Sequence, residues 1–171
     1  MKSNTRSLQD LFVDELADLY DAESQLTKAM PKIAEAARTS ELQKLLQDHL
    51  EQTKVHTKRL TQIMEHVDGK ARGRKCKAMA GLIEEGNDQI KDNLDAPTLD
   101  AALIAAIQRV EHYEIAGYGC AATYAELLGD HESAKLLKQT LDEEKEEDKK
   151  LTNLATSTIN LYCHLGSQKS P

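Results

Sequence analysis

The sequence contains few aromatic residues and few of the residues that interrupt helices. Aromatic side chains make up 4% of its 171 residues, tryptophan is absent, and there are only 3 prolines and 8 glycines. Alanine, leucine, glutamate, lysine and glutamine are abundant instead, and these residues favour helices. The composition leaves little material for a β-sheet and predicts an all-α protein.

The chain also lacks the marks of a secreted or membrane protein. Its three cysteines, Cys76, Cys120 and Cys163, are odd in number and too far apart for a disulfide framework or a zinc-binding motif. No apolar run approaches the roughly 20 residues of a membrane span, and the N-terminus has no signal-peptide core. We therefore expect reduced thiols in a cytoplasmic protein.

The charge balance argues against nucleic acid as a general partner. Charged residues make up 30% of the chain and its formal net charge is -7, which predicts an acidic, hydrated surface. Nucleic-acid binding requires a basic face. The segment 70–77 is an exception with five basic residues. It could bind an acidic partner or a phosphate, but the acidic surroundings favour a solvated connector.

Hydrophobic periodicity predicts four long helices and one short one. Their approximate limits are 8–38, 40–69, 78–94, 98–128 and 131–161. Ser7 is a suitable N-cap for the first helix, and Ser40 followed by Gln43 indicates a capping box for the second. Residues 166–171 show no pattern, and we expect them to form a disordered tail after a single domain covering 1–165.

Proline and glycine mark the other helix limits. Pro31 should kink the first helix or split off its last turn, because it lacks a backbone donor and crowds the preceding turn. Pro97 is well placed at the start of the third long helix. Gly129 closes that helix, and Asp130 can cap the next one.

The lengths of the connections predict the topology. Tight turns join the first two long helices and the last two, so each pair should form an antiparallel hairpin. About 30 residues separate the two hairpins, which is long enough to cross the bundle, and they include the short helix. Two hairpins joined by one long crossover form a ferritin-like four-helix bundle.

Acidic residues interrupt the apolar stripes of three long helices. Glu23 lies within the stripe of the first helix. Glu111 and Glu114 interrupt the stripe of the third, and Glu144 and Asp148 that of the fourth. A single carboxylate could reach solvent or pair with a lysine. Folding the hairpins, however, places all these groups near mid-length, and we expect them to face one another in the core.

The second long helix offers histidines rather than acids. His49 and His56 lie in the polar centre of its stripe, and folding the first hairpin places His56 level with Glu23. Each histidine is explained equally well as a hydrogen-bonded core residue and as a metal ligand. Glu51 lies to the side and would have to rotate inward. The remaining acids of the fourth helix are expected to be solvated, namely Glu143, Glu146 and Glu147.

A core that gathers several carboxylates needs a compensating cation, because their desolvation and mutual repulsion would otherwise be severe. Iron and manganese prefer carboxylate oxygens with an occasional imidazole. Two such ions need bridging and terminal carboxylates from different helices, and open positions on them would admit oxygen or peroxide. The predicted metal ligands are Glu23, His49, His56, Glu111, Glu114, Glu144 and Asp148.

Five segments of the sequence resemble the bacterial YciF family. They are DLYDAESQLT at 18–27, HLEQT at 49–53, CKAMAGLIEEG at 76–86, VEHYEIA at 110–116 and EEKEED at 143–148. The resemblance covers nearly the whole chain apart from the tail. It implies a ferritin-like helical bundle that forms a homodimer and is associated with bacterial stress responses. It also implies kinship with rubrerythrins and other di-iron carboxylate proteins.

The sequence departs from the wider di-iron pattern at two positions. Those proteins carry Glu-x-x-His on two helices, whereas the corresponding segments here are EQTK at 51–54 and EKEE at 144–147. The ligand set and the identity of the metal therefore stay open. The favoured function is a metalloprotein that binds two iron or manganese ions and handles peroxide or oxygen under stress. The alternative is a structural or interaction protein with a degenerate metal site.

Overall fold

The computed structural model describes residues 6–67, 74–92 and 94–167, and within these ranges it contains helices and no β-strand. The helices are α1 (Leu8–Ala36), α2 (Ser40–His66), α3 (Lys77–Lys91), α4 (Ala96–Leu127), α5 (His131–Leu154), a π-helical turn (Ala155–Ile159) and α6 (Asn160–Ser167). The predicted all-α class is confirmed.

The helices pair as the connection lengths predict. α1 packs along α2 and α4 packs along α5, so the four long helices form two antiparallel hairpins. The connection between the hairpins carries α3, which packs against α1 and α4. This arrangement confirms the ferritin-like four-helix bundle. None of the helices in the described ranges combines the length and the hydropathy of a membrane-spanning segment.

Two apolar clusters hold the bundle together, one toward each end. The first cluster, near the turn between α1 and α2, includes Leu26, Met30, Leu42, Leu46, Leu103 and Leu151. The second cluster, near the turn between α4 and α5, includes Phe12, Leu16, Leu60, Ile63, Ala121 and Leu137. Because α1, α2, α4 and α5 contribute to both clusters, burial at each end fixes how these helices are aligned. Each large side chain so buried contributes about 1.5–3 kcal/mol.

Local signals place most helix limits correctly. The Ser7 hydroxyl accepts a hydrogen bond from Asp10 N, and the Asp10 carboxylate accepts one from Ser7 N, so a capping box begins α1. Gly129 follows α4 with φ +79, a left-handed conformation that favours glycine. Asp130 then caps α5 by accepting from Ser133 N. These limits depend on neighbouring residues only, which is why the sequence predicts them.

The predicted capping box at Ser40 and Gln43 is wrong. The N-cap of α2 is Thr39, whose side chain makes no capping hydrogen bond to any described residue. The Gln43 side chain instead bonds to the residue that follows α1: its Nε2 donates to the carbonyl oxygen of Ala37 at 2.7 Å. The turn between α1 and α2 is therefore closed by contacts other than those of a helix cap.

A buried carboxylate from α4 stabilises this turn. The side chain of Asp100 is 0% exposed, and it accepts hydrogen bonds from Arg38 N at 2.7 Å and from Thr39 N at 2.8 Å. These donors precede the first turn of α2, whose positive dipole end also favours a carboxylate. Asp100 thus connects the second hairpin to the turn of the first.

Two other predicted features differ in detail. α1 is not split at Pro31, because the helix continues to Ala36. At the other end of the chain, α5 passes through the π-helical turn into α6, which extends to Ser167, two residues into the predicted tail. The rest of that tail, 168–171, lies outside the described residues. So do 68–73, which contain the first half of the basic segment and the predicted end of α2.

Replacing the buried carboxylate gives a test of the turn. Asp100→Ala should lower the free energy of unfolding by about 2–3 kcal/mol, because two backbone donors lose a charged acceptor. Urea unfolding monitored by circular dichroism measures this change. Asp88→Ala is the control, since it removes an exposed pair with Lys91 and should cost at most about 0.5 kcal/mol. Equal effects of the two variants would contradict the role of Asp100.

Candidate metal centre

A layer of buried polar side chains separates the two apolar clusters. Each of α1, α2, α4 and α5 contributes to this polar layer between its residues in the first and second clusters. Its members, each at most 2% exposed, are Glu23, His49, Thr53, His56, Glu111, Glu114, Thr140, Glu144 and Glu147. Acidic side chains are almost never buried to this extent unless they are paired.

The spacing along each helix explains why these side chains point inward. His49 and His56 are seven residues apart on α2, and Glu111 and Glu114 are three apart on α4. Both spacings keep two side chains on one helix face. Gly117 lies one turn beyond Glu114, where a Cβ atom would come within 2.7 Å of a Leu19 methyl group. The absence of a side chain there allows α4 to approach α1 closely beside the layer.

The polar layer contains two groups of side chains that could each hold a metal ion. The His49 group consists of His49, Glu111, Glu114 and Glu144, and the His56 group consists of Glu23, His56 and Glu144. Within each group, one donor atom from every member lies within 4.8 Å of the others. Glu144 belongs to both groups and therefore lies between them.

Most donor atoms of these groups lack hydrogen bonds. Among the described residues, no partner is found for either oxygen of Glu111, Glu114 and Glu144, or for either ring nitrogen of His49. His56 Nδ1 lies 2.8 Å from Glu144 Oε1, and His49 Nδ1 lies 3.3 Å from Glu111 Oε1, but neither contact has hydrogen-bond geometry. Buried lone pairs that converge in this way fit a bound cation.

Burial and mutual repulsion make the carboxyl groups hold protons unusually strongly. Burial is the main cause that raises the pKa of Glu23 to about 7. It also raises the pKa of Glu111 and of Glu114 well above the usual value, and the nearby charge of Glu144 adds to both shifts. Three carboxyl groups with raised pKa values in one layer indicate a site that favours the binding of protons or of another positive charge.

The two histidines differ in their electrostatic surroundings. Burial lowers the pKa of His49. Burial also acts to lower the pKa of His56, but the contacts with Glu144 and Glu23 outweigh it and raise this pKa to about 10. The same contact with His56 lowers the pKa of Glu144 against the effect of burial. A cation at the His56 group would therefore take the place of a strongly held proton.

Outer contacts orient the His56 ring. His56 Nε2 lies 2.9 Å from Glu143 Oε2, and the Arg59 guanidinium binds the same carboxylate through two nitrogens, with Nη2 at 2.9 Å from Oε1. Burial acts to raise the pKa of Glu143, but the hydrogen bond from Arg59 outweighs it and the pKa falls to about 2. An ionised Glu143 accepts the Nε2 proton and so leaves Nδ1 facing Glu144 as a potential ligand atom.

One tyrosine at the site was missed by sequence reasoning. Tyr118 was not among the predicted site residues, yet its hydroxyl donates to Glu23 Oε1 within the core. Its ring packs edge-on against His56, with the ring centroids 6.3 Å apart. Tyr118 lies seven residues after Glu111 and therefore on the same face of α4, which is the sequence signal that could have identified it. Of the other tyrosines, Tyr113 donates to Asp18 instead.

The structure brings together six of the seven predicted ligands and leaves Asp148 apart. Asp148 Oδ1 accepts a hydrogen bond from Gln108 Nε2 at 2.9 Å and lies 3.5 Å from His112 Nε2. It belongs to neither group, and its side chain is 22% exposed. The predicted position of Asp148 in the cluster is therefore wrong.

The error arises from the register of α5. Glu144 and Asp148 were predicted to share the inner face, whereas the structure buries Thr140 and leaves its neighbour Leu141 only partly buried. The inner face continues through Glu144 and Glu147, and Asp148 falls on its flank. Glu147 is 2% exposed, so the prediction that it is solvated is also wrong.

The other predicted solvated acids differ from one another. The Glu146 side chain is 58% exposed, as predicted. Glu143 is only 26% exposed because it binds Arg59 and His56. Glu51, the alternative from α2, points away from the layer with 71% of its side chain exposed.

The fold and the polar layer together define a ferritin-like helical protein with a carboxylate and histidine cluster in its core. Residues 7–164 match the family model described as a domain of unknown function, DUF892. The sequence is 48% identical to Protein YciF of Escherichia coli (strain K12) over 158 residues, which cover 92% of this chain and 95% of that protein. The chain belongs to the YciF family.

Solved structures agree with this assignment. The crystal structure of the E. coli stress protein YciF superimposes with a TM-score of 0.88 at 47% identity, covering 91% of this chain and 99% of that one. YcfI of Rhodopseudomonas palustris, described as a candidate structural protein, superimposes with a TM-score of 0.83 at 39% identity. The match covers 89% of this chain and 97% of that one. A protein of Xanthomonas campestris pv. campestris shares the fold, with a TM-score of 0.70 and 19% identity. The match covers 94% of this chain and 98% of that one.

The raised pKa values predict how the metal-free protein responds to pH. Burial raises the pKa of Glu111 and of Glu114 well above the unfolded value of 4.5, so above that value the folded state keeps protons that the unfolded chain has released. The raised pKa values of Glu23 and His56 act in the same direction, whereas the lowered pKa of His49 opposes them close to pH 6.5, so the range from pH 7 to 8 shows their effect best. Stability should therefore fall as pH rises, by up to about 1.4 kcal/mol per pH unit for each titrating group.

Chemical denaturation in the presence of a chelator measures this dependence. Glu111→Gln should reduce the slope, because it removes one of the titrating carboxyl groups. Stability that is constant or increases over this pH range would show that the carboxyl groups are not paired with protons in the core.

The orientation of His56 gives a second test. Glu143→Ala should weaken the binding of a divalent ion at the His56 group by about 10- to 100-fold, because the ring loses the carboxylate that fixes its tautomer. Calorimetric titration with Mn²⁺ measures the affinity. Glu51→Ala is the matched control, since it removes an exposed glutamate of α2. Equal affinities of the two variants would rule out this role for Glu143.

Proposed function

We propose that the chain binds two iron or manganese ions in the polar layer and that the loaded protein reduces peroxide or oxygen. The observation that supports this best is the set of buried, converging donor atoms that have no hydrogen-bond partner in the described part of the chain. A protein core tolerates such atoms when an ion or protons compensate them. The sharing of Glu144 by the two groups fits two adjacent ions rather than one.

The donor types favour iron or manganese. Both groups combine carboxylate oxygens with one imidazole, and neither includes a thiol. Calcium and magnesium favour ligand sets made of oxygen alone, and structural zinc sites are commonly rich in cysteine. The mixed set is the one that iron and manganese prefer. His49, Glu111 and Glu114 would hold one ion, Glu23 and His56 the other, and Glu144 both.

Iron or manganese bound there would supply the electrons that reduce peroxide or oxygen. The chain's own residues would control the surroundings of that chemistry. The apolar clusters above and below the polar layer exclude bulk water. Tyr118 holds a hydroxyl proton one hydrogen bond away from Glu23, where it can be donated to a reduced oxygen species. The association with stress, stated for the E. coli relative, agrees with a role in removing oxidants.

Metal titration of selected variants tests the proposal. Anaerobic titration of the wild type with ferrous ion should saturate at about two ions per chain. Glu111→Gln should remove one ion because this residue belongs to the His49 group only, and Glu144→Gln should weaken both because it is shared. Glu65→Gln, on the exposed face of α2, is the control and should bind as the wild type does.

The reaction needs its own measurement. The ferrous wild type should consume hydrogen peroxide faster than Glu144→Gln at equal protein concentration. Failure of the wild type to bind iron or manganese would contradict the whole proposal, whereas binding without peroxide or oxygen consumption would contradict only the reaction.

A structural role without metal is the second candidate. Two observations favour it: neither Glu-x-x-His position contains histidine in this sequence, and a relative is described as a candidate structural protein. This role predicts a melting temperature that is unaffected by iron or manganese. A filled site should instead stabilise the protein by about 2.7 kcal/mol when the ion is present at 100 times its dissociation constant. The homodimer implied by the resemblance stays a prediction under both functions.

A further inference from the structure

Glu147 is a buried carboxylate that the two metal groups do not include. It lies one turn after Glu144 on the inner face of α5 and is 2% exposed. Its Oε2 accepts a hydrogen bond from Lys150 Nζ at 3.0 Å. Its Oε1 has no hydrogen-bond partner among the residues that the structure describes. One oxygen of this carboxylate is therefore paired, and the other remains available in the core.

The unpaired oxygen belongs to a side chain beside the His49 group. Burial dominates the pKa values of His49 and Glu111, and the charge of Glu147 is among the further influences that raise both. Glu147 is nevertheless not one of the side chains whose donor atoms lie within 4.8 Å of one another. Glu147 therefore acts on the His49 group electrostatically without being one of its converging donors.

The partner of Glu147 faces solvent. The Lys150 side chain is half-exposed, and this residue lines a surface groove of about 570 Å³ that runs along α5. Glu143 and Glu146 line the same groove. Glu147 thus pairs with a lysine that lines an open groove of mixed charge, and it is buried on the same face of α5 as Glu144 of the His49 group.

We propose that Glu147 is a switching ligand, whose carboxylate exchanges between Lys150 and an ion in the His49 group and so admits ions from the groove. This inference rests on the proposed function. A rotation of the side chain would exchange one favourable partner, the lysine ammonium, for another, the metal ion. Glu147 also occupies the position of the histidine in Glu-x-x-His, where di-iron proteins place a ligand.

A permanent ion pair is the competing explanation, and paired substitutions separate the two. Under the proposal, Glu147→Gln removes a ligand and should weaken the binding of one ion by about 10- to 100-fold while leaving the other unchanged. Lys150→Gln should have the opposite effect, because the carboxylate no longer has to leave the lysine. It should tighten the same ion, or speed its entry, by up to about fivefold.

The measurement uses the full chain and two probes. Anaerobic Co²⁺ titration followed by visible absorption reports the affinity and surroundings of each ion, and stopped-flow mixing with ferrous ion reports the rate of loading. Glu51→Gln and Lys54→Gln are matched controls, because they break an exposed pair with the same three-residue spacing on α2, 2.6 Å apart. Both controls should stay within about twofold of the wild type.

Several outcomes would overturn the inference. Wild-type affinity and loading rate in Glu147→Gln would show that the carboxylate only pairs with Lys150, and changes in the same direction in both variants would show the same. If Glu147→Gln does not fold, unchanged binding and loading in Lys150→Gln would decide against the switch. A wild type that binds two ions with an unaffected Glu147→Gln variant contradicts this inference alone, whereas a wild type that binds none contradicts the proposed function as well.

Discussion

Repulsion among buried carboxylates is the constraint on which the centre of this structure depends. Glu23, Glu111, Glu114, Glu144 and Glu147 lie in one layer with at most 2% exposure each. The apolar clusters on both sides prevent water from screening them. His56 neutralises part of this charge through its contacts with Glu144 and Glu23, and Lys150 pairs with Glu147. The remaining charge needs protons or metal ions. The bundle thus holds a group of charges that it cannot satisfy with its own hydrogen bonds.

Local chemistry made most of the fold predictable. The cap at Ser7 and the left-handed conformation of Gly129 depend only on residues close by in sequence. The connection lengths then determine which helices pair as hairpins. The turn between α1 and α2 was predicted with the wrong contacts because its stabilising group, Asp100, comes from more than 60 residues away. A single sequence does not reveal such a pairing, since any buried acid of α4 could have served.

The chemical type of the candidate site was predictable, but its residues were predicted only in part. Polar residues at mid-helix identified four glutamates and two histidines that the structure does bring together. Because the buried face of α5 contains Thr140, Glu144 and Glu147, Asp148 lies outside the cluster and Glu147 lies within the polar layer. Partners that join different helices were not visible at all. The contacts of Glu143 with His56 and Arg59 link α5 to α2, more than 80 residues away in sequence.

The division of the apolar core into two clusters has an evolutionary consequence. Because each end of the bundle buries its own side chains, the alignment of the helices does not rely on the identity of the groups between them. Mutations in the middle can therefore alter the chemistry while the scaffold persists. The Xanthomonas protein, with a TM-score of 0.70 at 19% identity, shows how far sequences can diverge within this architecture. In such a lineage, catalysis can be gained or lost without inventing a new fold.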